Sequence, residues 1–412
     1  MPLMCAIARN EKYNVVGFDL DKKLIERLRK RKSHIEEDIY IKLIKKIRFK
    51  VSQSERVLKE SDVFIICVPT PIHNDYTLNY DPIKNAANSI AKFLKKGNTV
   101  ILESTVNPGT CEEIILPILE STSKLKGGRD FILAHCPERI NPGDKKWSVF
   151  NIPRNVGALT RKGTRKVAEF YRSFLDAEVN EVSCLKVAEA TKIVENTFRD
   201  VNIAFVNELA QSFDKIGIDL IETIKCASSK PFAFMPHWPG CGVGGHCIAI
   251  DPYYLIKRAT KNGFNHRFLK AAREVNNSMP DYTVSLLTSC LNNVELPVSG
   301  TKIALLGLSY KGNVGDLRES PAIKILEKLK GLGAKLKIFD PYVHKISNVR
   351  SLPEAVRNAR AIVVCTDHEE FKKTDVKELL KNSKVKVVID GRNIWDNEII
   401  RKLGIIYKGI GR

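Results

Sequence analysis

The chain has 412 residues, enough for two or three domains with full cores, and no apolar run in it is long enough to span a membrane. The opening residues do not read as a signal peptide, and ten cysteines are scattered without a disulfide framework, which points to reduced cytoplasmic thiols. The formal charge of +20 allows an acidic partner, but the lysines are spread along helices and only residues 22–50 are dense, so a solvated basic surface accounts for most of it.

Met1–Ala8 reads as a helix, and the first strand is Val15-Val16-Gly17-Phe18-Asp19. The next helix has Asp21 as its N-cap and Leu24, Ile25 and Leu28 on its apolar side. An acidic residue closing the second strand of a dinucleotide fold binds the NAD ribose, and Asp19 fits that place; it also fits an ordinary strand-end turn. Such a fold opens with a strand and G-x-G-x-x-G, and neither precedes this helix. The expected consequence is a sheet without a central strand, two unpaired strand edges, exposed apolar surface and a weak grip on a pyrophosphate. A start assigned too far downstream is the simplest account of it.

Asp62–Pro71 is a continuous apolar run ending in a turn, the pattern of a strand buried on both faces of a parallel sheet. A helix over 81–95 follows, then a strand from Thr99 to Thr105. Asn107-Pro108-Gly109 breaks the chain before a helix over 110–119, and a strand from Phe131 to His135 leads into Cys136-Pro137-Glu138-Arg139. Alternating strand and helix implies a doubly wound α/β domain, whose ligands bind beyond the carboxyl ends of the strands. Pro69, Thr70, Thr105 and Glu138 fall at such ends.

Residues 185–216 are helical without proline or glycine, a helix about 48 Å long and apolar on several sides. It reads as the spine between two domains and a dimer contact. Lys192 and Asn196 share one of its faces, as a site or as solvated polar residues. Asn276–Pro280 reads as a break, after which the α/β pattern returns. Strands are expected at 302–307, 336–340, 361–367 and 385–390, with a helix over 320–332. Phe339-Asp340 echoes Phe18-Asp19. The loop from Gly307 to Arg318 offers Lys311 and Arg318 to phosphate, without Walker A spacing.

The densest signal is Pro239–Pro252, with four glycines in six residues, then His246, Cys247 and Asp251. Glycines permit positive φ and close approach of a ligand, and Cys247 at the end of such a loop suits a nucleophile. A buried inert cysteine fits the same pattern. Metal binding by Cys241, His246 and Cys247 has poor geometry, and no metal is expected.

Together these stretches resemble the UDP-glucose, UDP-N-acetylhexosamine and GDP-mannose dehydrogenases, from residue 1 to about 395. The motifs are Gly17-Phe18-Asp19, Val68–Pro71, Glu103–Thr105, Pro137–Arg139, Lys192 with Asn196, Gly242–Cys247 with Asp251, and Lys311 with Arg318. Ser229–Pro236 before the cysteine loop and Asp251–Tyr254 after it are similar to the branch acting on UDP-N-acetylhexosamines; UDP-ManNAc and UDP-GlcNAc stay equally open. UDP-glucose is the alternative substrate.

The resemblance implies two Rossmann-like domains joined by a long central helix and a small helical domain. Residues 1–184 would bind NAD, 185–285 would hold the dimer contact and the cysteine loop, and 286–412 would bind the UDP-sugar. It also implies a four-electron oxidation of C6 to a carboxylate, using two NAD⁺ in succession, through a Cys247 thiohemiacetal and thioester. Lys192 and Asn196 would stabilise the oxyanion. Asp251 and Glu138 would handle the water, with Thr105 between them.

Asp19, Pro69, Thr70, Thr105 and Arg318 would line the NAD side. Glu138, Arg139, Lys192, Asn196, Lys230, His237, Gly244 and Lys311 would hold the sugar nucleotide. Cys241, Ala249, Gly312 and Gly315 depart from the branch pattern and are expected to alter loop stiffness. The rival readings are a non-catalytic nucleotide-sugar-binding relative, a one-step hydroxy-acid dehydrogenase needing no cysteine, and a basic nucleic-acid binder. No nucleic-acid motif supports the last, and neither nucleic acid nor membrane is expected as a partner.

Overall fold

A computed structural model describes residues 1–412 except 36, 74, 142, 143 and 145. The chain divides into two compact units, Met1–Glu195 and Asn196–Arg412.

In the first unit the sheet comes in two pieces. Strands β1 (Val16–Phe18) and β2 (Lys50–Ser52) pair in parallel with each other. β3 (Val63–Ile66), β4 (Thr99–Leu102), β5 (Ile132–His135), β6 (Arg154–Ala158) and β7 (Val179–Glu181) form a separate sheet in that order. Among the described residues β1 pairs only with β2, and β3 only with β4. Val16 is accordingly exposed. The β5–β6 pair is antiparallel, with His135 opposite Gly157, in an otherwise parallel sheet. The opening helix, Pro2–Arg9, buries Leu3, Cys5, Ala6, Ile7 and Ala8 in a core shared with Ile101, Ala134 and Val156.

Three details differ from the sequence pattern. The helix expected over 81–95 is regular only for Asp81–Ala91. The one expected over 110–119 opens with a π-turn, Cys111–Ile115, and continues as Leu116–Ser123. The break at Asn276–Pro280 is a helix, Arg267–Asn292, that carries Pro280 inside it. Proline removes the donor that would reach the carbonyl four residues back. That carbonyl, on Asn276, faces Gly242, where a Cβ would come within 3.0 Å of it. The close approach of the glycine loop accommodates the irregular turn.

The long helix, Leu185–Ile216, is as expected. The second unit's sheet is parallel throughout, in the order β12-β11-β10-β8-β9. These strands are β8 (Lys302–Leu306), β9 (Lys335–Phe339), β10 (Ala361–Val364), β11 (Val387–Asp390) and β12 (Ile406–Gly409). Alternate residues of β8 serve two cores. Ile303 and Leu305 pack with Met279, Leu287 and Ile325, while Ala304 and Leu306 pack with Phe371 and Trp395. The chain runs from β8 outward to β9 and returns on the other side at β10. The ends of β8 and β10 therefore flank a switch point, where open α/β sheets bind ligands.

Candidate active site

In the second unit the cysteine loop is built on glycine. Gly242 and Gly245 hold φ of +127° and +86°. A Cβ on Gly244 would lie 2.6 Å from the Tyr310 Cβ and 2.8 Å from the Glu319 carbonyl oxygen. The loop thus lies flat against the loop that leaves β8, and the Gly245 N–H donates to the Arg318 carbonyl at 2.9 Å. Cys247 emerges exposed from this packing. Its carbonyl accepts the N–H groups of Ile250 (3.1 Å) and Asp251 (2.8 Å), which turns the chain into the helix Asp251–Lys261. A thiol just before a helix N-terminus sits where the helix dipole favours its anion.

Asp251 is the first residue of that helix and is buried. The Asn196 amide Nδ2 donates to its Oδ2 at 2.5 Å. The pair lies beside the exposed thiol's turn, and Asn196 keeps a second N–H and its oxygen for a ligand. Lys192 is one helical turn earlier; its ammonium makes no hydrogen bond or ion pair among the described residues.

A buried polar network supports this arrangement and has no counterpart in the sequence reading. Asn207 Nδ2 donates to Asn276 Oδ1 at 2.9 Å, and its own Oδ1 accepts the Gly240 N–H at 2.9 Å. Asn276 Nδ2 donates to the Asp200 carboxylate at 2.8 Å, which Arg273 also engages at 2.5 Å. Burial raises the Asp200 carboxyl above its usual range, with Arg273 and Asn276 opposing. The only available sequence signal was polar residues on the inner sides of two apolar helices.

Arg318 is exposed and chelated by Asp316, Nη2 to Oδ2 at 2.6 Å, so its charge is partly committed within its own loop. Lys311 is half-buried in the same loop. A Cβ on Gly312 would fall 2.6 Å from the Asp367 carbonyl oxygen, and one on Gly315 2.8 Å from that of Tyr342. These two departures mark close backbone packing at the switch point. His246 is held below the usual histidine range by burial and by Arg318. Lys230 is exposed with its ammonium 4.8 Å from the Phe232 ring centroid, and the His237 Nδ1 meets the Met235 carbonyl at 3.0 Å. Cys241 is a buried hydrogen-bond partner of Cys365.

In the first unit the strand ends are organised by Arg154, which is fully buried. Its Nη1 lies 3.3 Å from Glu138 Oε1 and 3.6 Å from Glu103 Oε2. Burial works against the guanidinium's charge, and the two carboxylates outweigh it. Glu103 is raised to about 7 by burial, against the pull of Arg154; Tyr171 donates to its Oε1 at 2.5 Å. Glu138 Oε1 also accepts the N–H groups of Arg139 (2.7 Å) and Ile140 (2.9 Å), so these bonds leave Oε2 its acceptor capacity. Arg139 turns to Glu195, Nη2 to Oε1 at 2.6 Å, and to the Pro153 carbonyl. The sequence reading missed Arg154 and Tyr171.

Asp19 is exposed, and its Oδ1 accepts the Asp21 N–H at 2.9 Å. Thr70 and Thr105 follow the ends of β3 and β4, Thr70 buried and Thr105 half-buried. An exposed carboxylate and two hydroxyls at strand ends are donors and acceptors suited to a dinucleotide's ribose and amide groups, so these residues fit NAD.

Three family models match in sequence order. The NAD-binding domain of the UDP-glucose/GDP-mannose dehydrogenase family matches residues 1–175, its central domain 186–278 and its UDP-binding domain 304–397. The chain belongs to this family. It is an NAD-dependent nucleotide-sugar dehydrogenase.

A UDP-N-acetyl-D-mannosamine dehydrogenase of Pyrococcus horikoshii is 38% identical over 406 residues, covering 97% of this chain and 94% of that protein. A UDP-N-acetyl-D-glucosamine 6-dehydrogenase of Pseudomonas aeruginosa is 36% identical over 94% of this chain and 93% of its own length. The solved structure of the UDP-D-ManNAc dehydrogenase from Pyrococcus horikoshii superposes with a TM-score of 0.93 at 36% identity, covering 100% of this chain and 96% of that one. An NDP-N-acetyl-D-galactosaminuronic acid dehydrogenase from Methanosarcina mazei Go1 gives 0.88 at 32% identity, covering 100% and 92%.

Proposed function

We propose that this dehydrogenase oxidises C6 of a UDP-N-acetylhexosamine, UDP-ManNAc or UDP-GlcNAc, to the uronate through a covalent bond to Cys247. The observation that carries the reading is the exposed Cys247 in a glycine-packed turn beside the Asn196–Asp251 pair. Similarity to dehydrogenases of N-acetylated UDP-sugars along nearly the whole chain supports the substrate class.

Lys192 and the remaining Asn196 N–H stabilise negative charge on the C6 oxygen. Asp251, with Glu138, positions and deprotonates the water that later cleaves the thioester. Once C6 is an aldehyde, the Cys247 thiolate adds to it, and the thiohemiacetal keeps the reactive carbonyl from escaping. The thioester formed from it is cleaved by water that Glu138 and Thr105 orient, which releases the carboxylate and restores the thiol. NAD, when bound, supplies the hydride acceptor for both oxidations. Asp19, Pro69, Thr70, Thr105 and Arg318 hold it. Arg139, Lys230, His237, Gly244 and Lys311 hold the sugar nucleotide.

The enzyme works in the cytoplasm, supported by ten cysteines outside any disulfide. Among the described residues no helix is long and apolar enough to cross a membrane. It forms a homodimer through the long helix, supported by exposed Val194, Phe198 and Phe205 along it.

The test supplies the full chain with NAD⁺ and each of UDP-ManNAc, UDP-GlcNAc and UDP-glucose and counts NADH per sugar. Two NADH per N-acetylated sugar are expected, and Cys247→Ser should lower kcat by at least about a thousandfold. One NADH per sugar with full turnover by Cys247→Ser would overturn the covalent route. Turnover of UDP-glucose alone would overturn the substrate class.

A further inference from the structure

Behind the strand ends of the first unit lies a second cluster that the reaction does not use. Cys111 opens the π-turn after Gly109, His135 ends β5, and Glu189 lies on the second turn of the long helix. All three are buried to within 1% of complete. A thiol sulfur, a ring nitrogen and a carboxylate oxygen, one from each, all lie within 4.8 Å of one another.

Both ring nitrogens of His135 are buried without a hydrogen-bond partner among the described residues. A neutral imidazole always carries one N–H, so leaving it dry and unpaired is costly. The carboxylate stands near this ring but too far to pair with it. Donors converging to within 4.8 Å need only draw in slightly to share an ion, since ligand atoms of a tetrahedral zinc sit about 3.3–3.8 Å apart.

We propose that Cys111, His135 and Glu189 form a structural site for a divalent transition metal, zinc above all. A sulfur, a nitrogen and an oxygen are donors zinc accepts, with a water completing its tetrahedron, whereas magnesium and calcium take oxygen ligands. On binding, Cys111 gives up its thiol proton to solvent. The thiolate, the Glu189 carboxylate and the dication then sum to zero charge, which removes the cost of burying any one of them alone. The orphaned His135 nitrogen gains a partner in the same step.

Glu189 is already aimed. Its two oxygens accept the N–H groups of Gly109 (2.5 Å) and Cys111 (2.8 Å), bonds that hold and orient the carboxylate. Without metal, burial raises both the Glu189 carboxyl and the Cys111 thiol, and a hydrogen bond between them is their remaining arrangement. The metal would pin the end of β5 one residue before Cys136-Pro137-Glu138, and so steady Glu138.

The test grows the full chain in zinc- or cobalt-supplemented medium, dialyses it against EDTA and measures metal by elemental analysis. One equivalent should remain, because the site is closed to solvent. X-ray absorption of the zinc form should show one sulfur with nitrogen and oxygen ligands, and the cobalt form a thiolate charge-transfer band. Cys111→Ser and His135→Leu should each retain less than about a tenth of an equivalent if tetrahedral ligation holds the ion. His135→Leu should also melt at a lower temperature than wild type.

Retention below that level by wild type overturns the proposal. So does a metal whose shell lacks sulfur or holds several, or one that survives both variants. A His135→Leu protein that melts above wild type would mark a dry, unpaired histidine instead. The absorption and elemental measurements need only wild type, so a variant that fails to fold does not spare the proposal.

Discussion

Phe18-Asp19 and Phe339-Asp340 are the same dipeptide closing a parallel strand, one in each unit, and their carboxylates meet opposite fates. Asp19 is exposed and takes one backbone N–H, that of Asp21. Asp340 is fully buried. Its Oδ2 accepts the N–H groups of Leu308 (2.7 Å) and Ser309 (3.0 Å), the Ser309 hydroxyl (3.1 Å) and His368 Nε2 (3.1 Å). Its Oδ1 accepts the Tyr342 N–H at 2.8 Å. The Asn313 N–H donates to His368 Nδ1, which leaves the ring proton on Nε2 to face the carboxylate.

The neighbouring strand makes the difference. β9 pairs with β8, and the loop leaving β8 supplies the Leu308 and Ser309 donors; among the described residues β1 pairs only with β2. A strand-end aspartate is a ligand group or a structural staple according to what the adjacent strand's loop delivers.

The sharpest break of this comparison is Asp340→Ala. It strands three backbone N–H groups, a hydroxyl and an imidazole, and should cost about 3–5 kcal/mol of stability in denaturant unfolding. The KM for NAD⁺ should stay within about twofold, since a staple on one side of the comparison leaves Asp19, the proposed ribose ligand, on the other intact.

Asp19→Ala should do the reverse. Loss of a charged acceptor for a ribose should raise the KM for NAD⁺ by about tenfold, with stability changed by less than about 0.5 kcal/mol. A large stability loss from Asp19→Ala, or a tenfold KM change from Asp340→Ala, would dissolve the distinction.

A smaller effect separates the units by pH. Burial pushes the Asp340 carboxyl up, but His368 and the N–H groups of Leu308, Ser309 and Tyr342 hold it well below the usual range. Its contribution is present above the unfolded pKa and is lost as pH falls toward the folded one. Glu103 is raised to about 7, so its contribution is present below the unfolded value and is lost as pH rises through about 7. Thermal unfolding followed from pH 4.5 to 7 should show wild type losing stability relative to Glu103→Gln. A parallel pair of curves would place Glu103 at an ordinary pKa.

Much of the fold was legible because it rests on local pattern. The apolar run Ala361–Asp367 is buried on both faces, and Asp21 caps a helix through its own neighbours' N–H groups. Asp62–Pro71 departs from its pattern, with Phe64 and Ile66 buried but Val63 and Ile65 only half-buried and Cys67 exposed, since β3 pairs only with β4 among the described residues. The cysteine loop was legible because glycine density is a backbone requirement written in consecutive residues. Pro280 misled the reading, since its breaking tendency is local while its accommodation comes from Gly242, far away in sequence. Arg154, Tyr171, Asp200 and Asn207 escaped notice because each is ordinary in its own window.

By itself the sequence determined the α/β alternation, the strand ends, the glycine-rich cysteine loop and the family resemblance, all carried by residues adjacent or periodic along the chain. Tertiary structure alone decided which polar groups became buried partners: Glu103 and Glu138 with Arg154, Asn196 with Asp251, Asp340 with His368, and Cys111 beside His135 and Glu189. Desolvation acts on neighbours in space. The same carboxylate is therefore a ligand, a staple or a candidate metal donor according to which distant segment packs over it.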